Sequence, residues 1–303
     1  MAIEGKGIEV QENVRVRAVA PITTRMWRGT LSFSKRKPLG AFGAMIVLAM
    51  IFASIAAPWI SGDPTDWNLR RGLEGPSWDY LLGTNDLGQD MWAMIVNGAR
   101  VSLYVGFLSV AFGSGVGGAI GLLSSFYGGK LDMSIQRVMD AAMSIPTLVL
   151  AMAIMAALGQ SLNNVVFAIG IVQIPRANRI VRSQAMAVKQ AEFVMAARSI
   201  GAGDIRIMVQ HVFPQCVAPW LIIASAGLGT AIIAEASLSF LGMGVPPTVT
   251  TWGGMLSTRG REFFVLQPLM AIWPGLAISL AVYGFNLFGD ALRDVLDPRL
   301  RGT

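Results

Sequence analysis

The sequence predicts an all-α polytopic membrane protein with six transmembrane helices and both termini on the cytoplasmic face. Three observations carry this expectation. Hydrophobic residues make up 53% of the chain and charged residues only 14%, where a soluble domain carries about 25% charged residues. Apolar stretches of about 20 residues, the length that crosses a bilayer core, recur along the chain. Of the 24 Lys and Arg, 19 fall in the segments that alternate to one side. Only Arg70, Arg71, Arg100, Arg259 and Arg261 fall on the other. The cation-rich side is cytoplasmic by the positive-inside rule. Trp59, Trp67, Trp78, Trp92 and Trp252 gather at the opposite side, as an outer interfacial belt would.

Leu39–Ser61 is the first span, preceded by "SKRKP". It is longer than the ~7–15-residue apolar core of a secretory signal, so it reads as a retained helix. Val101–Gly129 is the second, with Gly113, Gly117 and Gly121 at spacing four. That spacing puts the glycines on one face, where another helix can approach closely; the plainer reading is that glycine is common in membrane helices. Ala141–Pro175 is free of charge but too long for one span. The polar "GQSLNN" at 159–164 divides it into a third helix, 139–159, and a fourth, 164–184. Arg176, Arg179 and Arg182 form a stripe near the end of the fourth, placed to snorkel toward water or headgroups. Val217–Leu241 is the fifth, interrupted by Glu235, and Leu266–Gly289 the sixth, with Pro268 and Pro274 in its first turns.

The expected organisation is therefore a cytoplasmic tail 1–38, a first span 39–61, an extracytoplasmic loop 62–99, a core 100–292 with five spans, and a cytoplasmic tail 293–303. The outer loop carries Asp63, Asp66, Glu74, Asp79, Asp86 and Asp90, either a solvated surface or a charge that steers a basic partner. A second outer loop covers about 243–264.

Between the fourth and fifth spans lies the cytoplasmic loop 190–214, which contains "EFVMAARSIGAGDIRIMVQHVFP". Phe193, Ala197 and Ile200, with Ala196 beside them, form one apolar face of a short helix starting near Glu192. Gly201 ends it. Asp204 is placed to cap a second helix through Val212, and Pro214 resets the chain before the fifth span. Such a hairpin either docks into a partner's groove or rests on lipid.

Cation distribution beside apolar spans, with no aromatic–basic surface, argues against nucleic-acid binding. The single Cys216 excludes an internal disulfide and a cysteine metal site. The single His211 excludes a His-rich metal site or a Ser-His-Asp triad elsewhere, and it fits a stabilising role in the hairpin. No metal site and no catalytic residues are expected. Glu235, inside a span, is a candidate for substrate or gate contact; a helix-packing hydrogen bond is the simpler role. Asp290, Arg293, Asp294, Asp297 and Arg299 follow the sixth span, as local i, i+3/i+4 pairs or as a partner contact.

The hairpin resembles the EAA loop of ABC-importer permeases, E-A-A-x-x-x-G, nine residues, then I-x-L-P. Ala196, Ala197, Gly201 and Pro214 fit at that spacing, while Met195 replaces the Glu and His211-Val212-Phe213 replaces I-x-L. "LLGTNDLGQDMWAMIVNGARVSL" (81–103), "EASLSFLGMGVPP" (235–247), "TWGGML" (251–256) and "FNLFGDALRDVLDPRLR" (285–301) follow in the same order. Together they resemble the dipeptide/oligopeptide/nickel branch of DppC/OppC-like permeases, apart from Gln89, where that branch has Arg.

The resemblance implies an ABC importer type I permease fold and one half of a translocation pathway working by alternating access. It implies a second homologous permease as heterodimer partner, two cytoplasmic ABC ATPase subunits and an extracytoplasmic solute-binding protein, all at a bacterial inner membrane. The coupling loop would comprise Glu192, Phe193, Ala196, Ala197, Arg198, Gly201, Ala202, Asp204 and Pro214. ATP and Mg would be used by the ATPase subunits and no cofactor by this chain. A P-loop needs G-x-x-x-x-G-K-[ST]. At Gly129-Lys130, Ser124 replaces its first Gly and Leu131 its Ser/Thr. The alternative from another class is a secondary transporter or a channel not coupled to ATP; a secondary transporter would show internal repeats and several intramembrane relay residues.

Overall fold

The computed structural model describes residues 37–257 and 262–296. The tail 1–36, Arg259, Arg261, Asp297 and Arg299 lie outside the described residues. The elements are α1 (Pro38–Ile60), α2 (Met91–Tyr127), α3 (Gly129–Met143), α4 (Thr147–Leu158), α5 (Leu162–Lys189), α6 (Glu192–Ser199), α7 (Asp204–Ile207), a π-helical turn Met208–Val212, α8 (Phe213–Phe240), α9 (Trp252–Leu256) and α10 (Leu269–Leu296). Among the described residues there is no β-strand, only an isolated bridge between Thr84 and Asp90.

Four helical runs are long and apolar enough to cross a membrane: α1, α2, Asp204–Phe240 and α10. The pair α3–α4, bent by 95°, makes a fifth if it counts as one span. α5 has 28 residues, but Gln173, Arg176, Arg179 and Arg182 dilute its apolar content.

The helices do not stop where the uncharged stretches stop. α2 starts at Met91, not Val101, because Asp90 caps it: its Oδ1 accepts the Trp92 N–H at 2.9 Å. Arg100 lies on an exposed position of that helix and ends nothing. The third helix is not continuous over 139–159. It breaks at Ser144-Ile145-Pro146 and resumes at Thr147, because a proline cannot continue a helix and biases the residue before it to extended backbone. α5 runs from Leu162, capped by Ser161, to Lys189, beyond the 164–184 expected. α10 starts at Leu269 and continues past Gly289 to Leu296, carrying Asp290, Arg293 and Asp294 on its last turns.

The glycine stripe marks a helix contact. A Cβ on Gly113, Gly117 or Gly121 would lie 2.4, 2.4 and 2.5 Å from the carbonyl oxygens of Gly170, Ile174 and Asn178. Both sets of numbers ascend together, so α2 and α5 run parallel in near backbone contact. α8 completes this core: the Trp220 Nε1–H donates to Ser114 O at 2.9 Å.

The segment between α1 and α2 is folded. Asn68 caps a 3₁₀ turn over Leu69–Arg71. Arg71 pairs with Asp79 at 3.1 Å and approaches Glu74 at 3.9 Å. Hydrogen bonds from Thr65 hold the Asp63 carboxyl below the usual carboxylate range. The segment is fastened to α10 by Trp273 Nε1–H donating to Leu82 O at 3.2 Å, and to the turn just before α10 by Gln267 Nε2–H donating to Glu74 O at 3.2 Å. Part of its acidic charge is thus neutralised locally.

Candidate functional site

The 190–214 region forms a helix hairpin. α6 ends in a Schellman arrangement: Ala202 N–H donates to Ala197 O at 3.1 Å and Gly201 N–H to Arg198 O at 3.0 Å. Gly201 supplies the left-handed residue, with φ +86°, as its place in the sequence predicts. Asp204 does not cap α7; Gly203 does, and Asp204 occupies the first turn, where its charge suits the helix dipole. Its Oδ1 accepts from Arg198 Nη2 at 3.3 Å across the turn.

Pro214 does not reset the chain either. It lies in the first turn of α8, and the run Asp204–Phe240 is helical throughout. The π turn just before it widens the backbone bonding: Phe213 N–H donates to Met208 O, five residues back. A π turn absorbs the register change that proline would otherwise impose as a break.

Of the apolar face Phe193, Ala197 and Ile200, only Ala197 is buried. Val194 and Ala197 point inward with Ile207 and Val212. They pack on Phe126 at the end of α2, on Val181, Ala185 and Val188 of α5, and on Cys216 of α8. Burying three such β-branched side chains from water stabilises the hairpin by about 1.5–3 kcal/mol each. Phe193 and Ile200 point outward; Ile200 is 87% exposed. Met195, Ile205 and Phe213 are also exposed, and Glu192 and Ala196 lie on the same outer surface. Phe193 stacks on His211 with ring centroids 6.5 Å apart, which places the histidine inside the hairpin's own packing.

Glu235 is completely buried on α8. Its Oε2 accepts the Ser102 hydroxyl of α2 at 3.2 Å and its Oε1 accepts Ser239 at 2.9 Å. The Thr251 hydroxyl lies near the same carboxyl group, and Thr251 caps α9 by accepting Gly254 N–H at 3.0 Å. α9 sits hard against α8: a Cβ on Gly253 would lie 2.5 Å from Ala236 Cα. Trp252, buried, donates to Ile95 O of α2 at 2.9 Å. Glu235 therefore ties α8 to α2 through the Ser102 hydroxyl, with Thr251 at the start of α9 close by.

Beside this joint lies a cavity of ≈ 690 Å³, lined among others by Asn85, Gln89, Gln160, Ser239, Thr251 and Met255. Its lining is mostly uncharged polar and apolar. Ser239 and Thr251 reach the cavity wall, while the Glu235 carboxylate itself does not.

The inward-facing Val194, Ile207 and Val212 and the Ser102 partner of Glu235 escaped sequence reasoning. The first three were readable in part from Val194 and Ala197 at spacing three; the partner of Glu235 was not, since Ser102 is 133 residues away. Among the described residues no cluster of three or more His, Cys, Asp or Glu is arranged to hold a metal.

Residues 113–302 match the family model described as binding-protein-dependent transport system inner membrane component. The chain is 40% identical to the dipeptide transport system permease protein DppC of Alkalihalophilus pseudofirmus, over 91% of this chain and 90% of that one. It is 37% identical to the glutathione transport system permease protein GsiD of Pectobacterium atrosepticum, over 95% of each chain. It is 38% identical to the probable D,D-dipeptide transport system permease protein DdpC of Escherichia coli, over 88% and 90%. Among solved structures, a chain of the MetNI methionine ABC transporter superposes with a TM-score of 0.57 at 18% identity, covering 68% of this chain and 97% of that one. ATP hydrolysis in such systems belongs to separate ATPase subunits, consistent with a sequence that lacks a P-loop. The chain belongs to the family of binding-protein-dependent transport system inner membrane components, the permease subunits of ABC importers.

Proposed function

We propose that this permease carries di- or oligopeptides, or a related solute, and that the hairpin Glu192–Pro214 is the joint through which ATP hydrolysis drives it. The relatives named for dipeptides, peptides and glutathione support the substrate class. Six spans would be α1, α2, the bent α3–α4 pair, α5, α7 to α8, and α10, with both termini cytoplasmic in a bacterial inner membrane. A second homologous permease completes the pathway as a heterodimer. Two ATPases bind from the cytoplasm, using ATP and Mg, and a solute-binding protein docks outside.

One observation carries the coupling role. The hairpin has an apolar inner face anchored on α2, α5 and α8 and a second, outward apolar surface around Phe193, Met195 and Ile200. An element seated on its own protein by one face and presenting another can transmit force to a partner. Glu192, Arg198 and Asp204 border the exposed apolar residues, as on a protein-docking patch rather than a purely lipid-facing one. Glu235 serves as the outer joint that ties α8 to α2, and substrate does not touch its carboxylate.

The test is Ile200→Asp in the complex purified with its ATPases. Because Ile200 is 87% exposed, the variant permease is expected in the membrane at normal level, with ATPase recovery falling at least about tenfold. Normal ATPase recovery with this variant would defeat the docking role.

A further inference from the structure

The arginine stripe on α5 does not snorkel freely. Arg182 grips Asp132 of α3 with both arms of its fork, Nε to Oδ1 at 2.7 Å and Nη2 to Oδ2 at 2.6 Å. The two side chains are only 26% and 15% exposed. One turn earlier on α5, Arg179 Nη2 donates to Asp140 Oδ1 at 2.9 Å. At the end of α5, Lys189 Nζ donates to the Phe126 carbonyl and lies 5.4 Å from the centre of its ring. A cation there suits the C-terminal end of α2. The backbone of Arg182 also lies against α2: a Cβ on Gly121 would be 3.1 Å from Arg182 N.

These contacts share one location. Lys189 is the last residue of α5 before the hairpin begins at Glu192. Phe126, which Lys189 holds, is also the residue against which the hairpin's inner face packs. α3, held by Arg182 and Arg179, leads directly into the 95° bend and α4. A partly buried ion pair is a weak source of net stability compared with an apolar pair of the same size. A bidentate arginine–carboxylate pair instead fixes relative orientation.

We infer that the Arg182–Asp132 fork, backed by Arg179–Asp140 and Lys189–Phe126, is a clasp that makes α2, α3 and α5 follow the hairpin as one body, so that displacement at the hairpin reaches the α3–α4 bend. Arg182, Asp132, Arg179 and Asp140 are positioning residues: they touch neither ATP nor cargo. The inference rests on the hairpin being the ATPase-docking element.

The test is a pulsed-EPR distance in the full assembled complex, needing no knowledge of the cargo. Cys216→Ala removes the native thiol, and spin labels go on Ile145→Cys at the bend and Trp78→Cys on the segment between α1 and α2. Both label sites are exposed. The distance is compared with and without ATP–vanadate trapping, and ATP hydrolysis is measured on the same sample. The expected result is a shift on trapping that shrinks about fivefold in Arg182→Gln, within the range by which network residues alter coupling, while hydrolysis continues. The exchange Asp132→Arg with Arg182→Asp should recover the shift. If Arg182→Gln fails to assemble, Arg179→Gln, whose pair is more than half exposed, should still reduce the shift. A full shift in either neutral variant, or none in the parent, overturns the clasp. Ile200→Asp runs alongside: ATPase that stays bound to that variant refutes the docking role itself, whatever the clasp variants show.

Discussion

Replacing Gly117 by alanine tests the packing on which every other element depends. The added methyl carbon would lie 2.4 Å from the Ile174 carbonyl oxygen and 2.9 Å from Ala177 Cβ. Ordinary contact begins near 3.4 Å, so α2 and α5 must part locally by about 1 Å, which forfeits roughly a quarter to a half of each dispersion well at the seam. Over-packing of this kind costs about 1–3 kcal/mol. Alanine also gains up to ~1 kcal/mol over glycine inside a helix, which obscures a single measurement.

Gly115 separates the two effects. It lies on the same helix two residues away, and a Cβ there meets nothing within 4 Å. Gly115→Ala takes the helical gain without the collision. The difference between the two variants therefore isolates the steric term, about 1–3 kcal/mol against Gly117→Ala. Thermal denaturation of the purified complex, followed by tryptophan fluorescence, reads this as a lower midpoint for Gly117→Ala than for Gly115→Ala. Equal midpoints, or a higher one for Gly117→Ala, would refute the close approach of α2 and α5.

Three further outcomes are expected. Glu235→Ala strands the hydroxyls of Ser102 and Ser239 and should cost about 1–3 kcal/mol for each group left unpaired, seen as a lower denaturation midpoint, whereas Glu235→Gln should keep most of the stability and transport. A stable Glu235→Gln permease that transports nothing would instead assign the charge a direct role. Gly88→Ala, at φ +74° with a Cβ 1.9 Å from Asn68 O, should loosen the segment between α1 and α2 by at least about 1 kcal/mol, measured as faster proteolysis within residues 62–90; unchanged cleavage would contradict the fold of that segment. Trp273→Phe removes the donor to Leu82 O and should speed amide exchange around Leu82 and Gly83 by about threefold to tenfold, with no change at α5.

The sequence was most legible where the physics is local. Gly201 announced a left-handed helix end, and the glycine spacing announced a close helix face. Helix limits were less legible, because charge-free stretches report how far lipid extends and helices run on past it: Arg100, Arg293 and Asp294 all lie within helices. Pro146 and Pro214 look alike in sequence yet act oppositely. Pro146 follows a helix that has already ended and re-aims the chain, while Pro214 lies within the continuous helical run Asp204–Phe240, just after the π turn. The partners of Arg179 and Arg182 lie 39 and 50 residues away on α3. No periodicity within α5 could separate a snorkelling stripe from a clasp, since both place cations on one face near a helix end.

The division of the hairpin's apolar residues between two faces bears most directly on the proposed function. Helical periodicity grouped Phe193, Ala197 and Ile200 as one apolar face of a short helix, open to a partner's groove or to lipid. Only Ala197 of the three is buried. Val194 is buried with it, in the cluster with Phe126, Val188 and Cys216, while the larger side chains remain outside. A helix that merely rested on lipid would gain most by turning Phe193 and Ile200 to the bilayer and would have no use for a fixed inner face. Here the inner face is held by Phe126, Val181, Val188 and Cys216, while Phe193, Met195 and Ile200 stay exposed on the other side. On the proposed coupling role, that exposed apolar surface is where an ATPase cleft would seat, and the anchored inner face would carry its displacement to the spans.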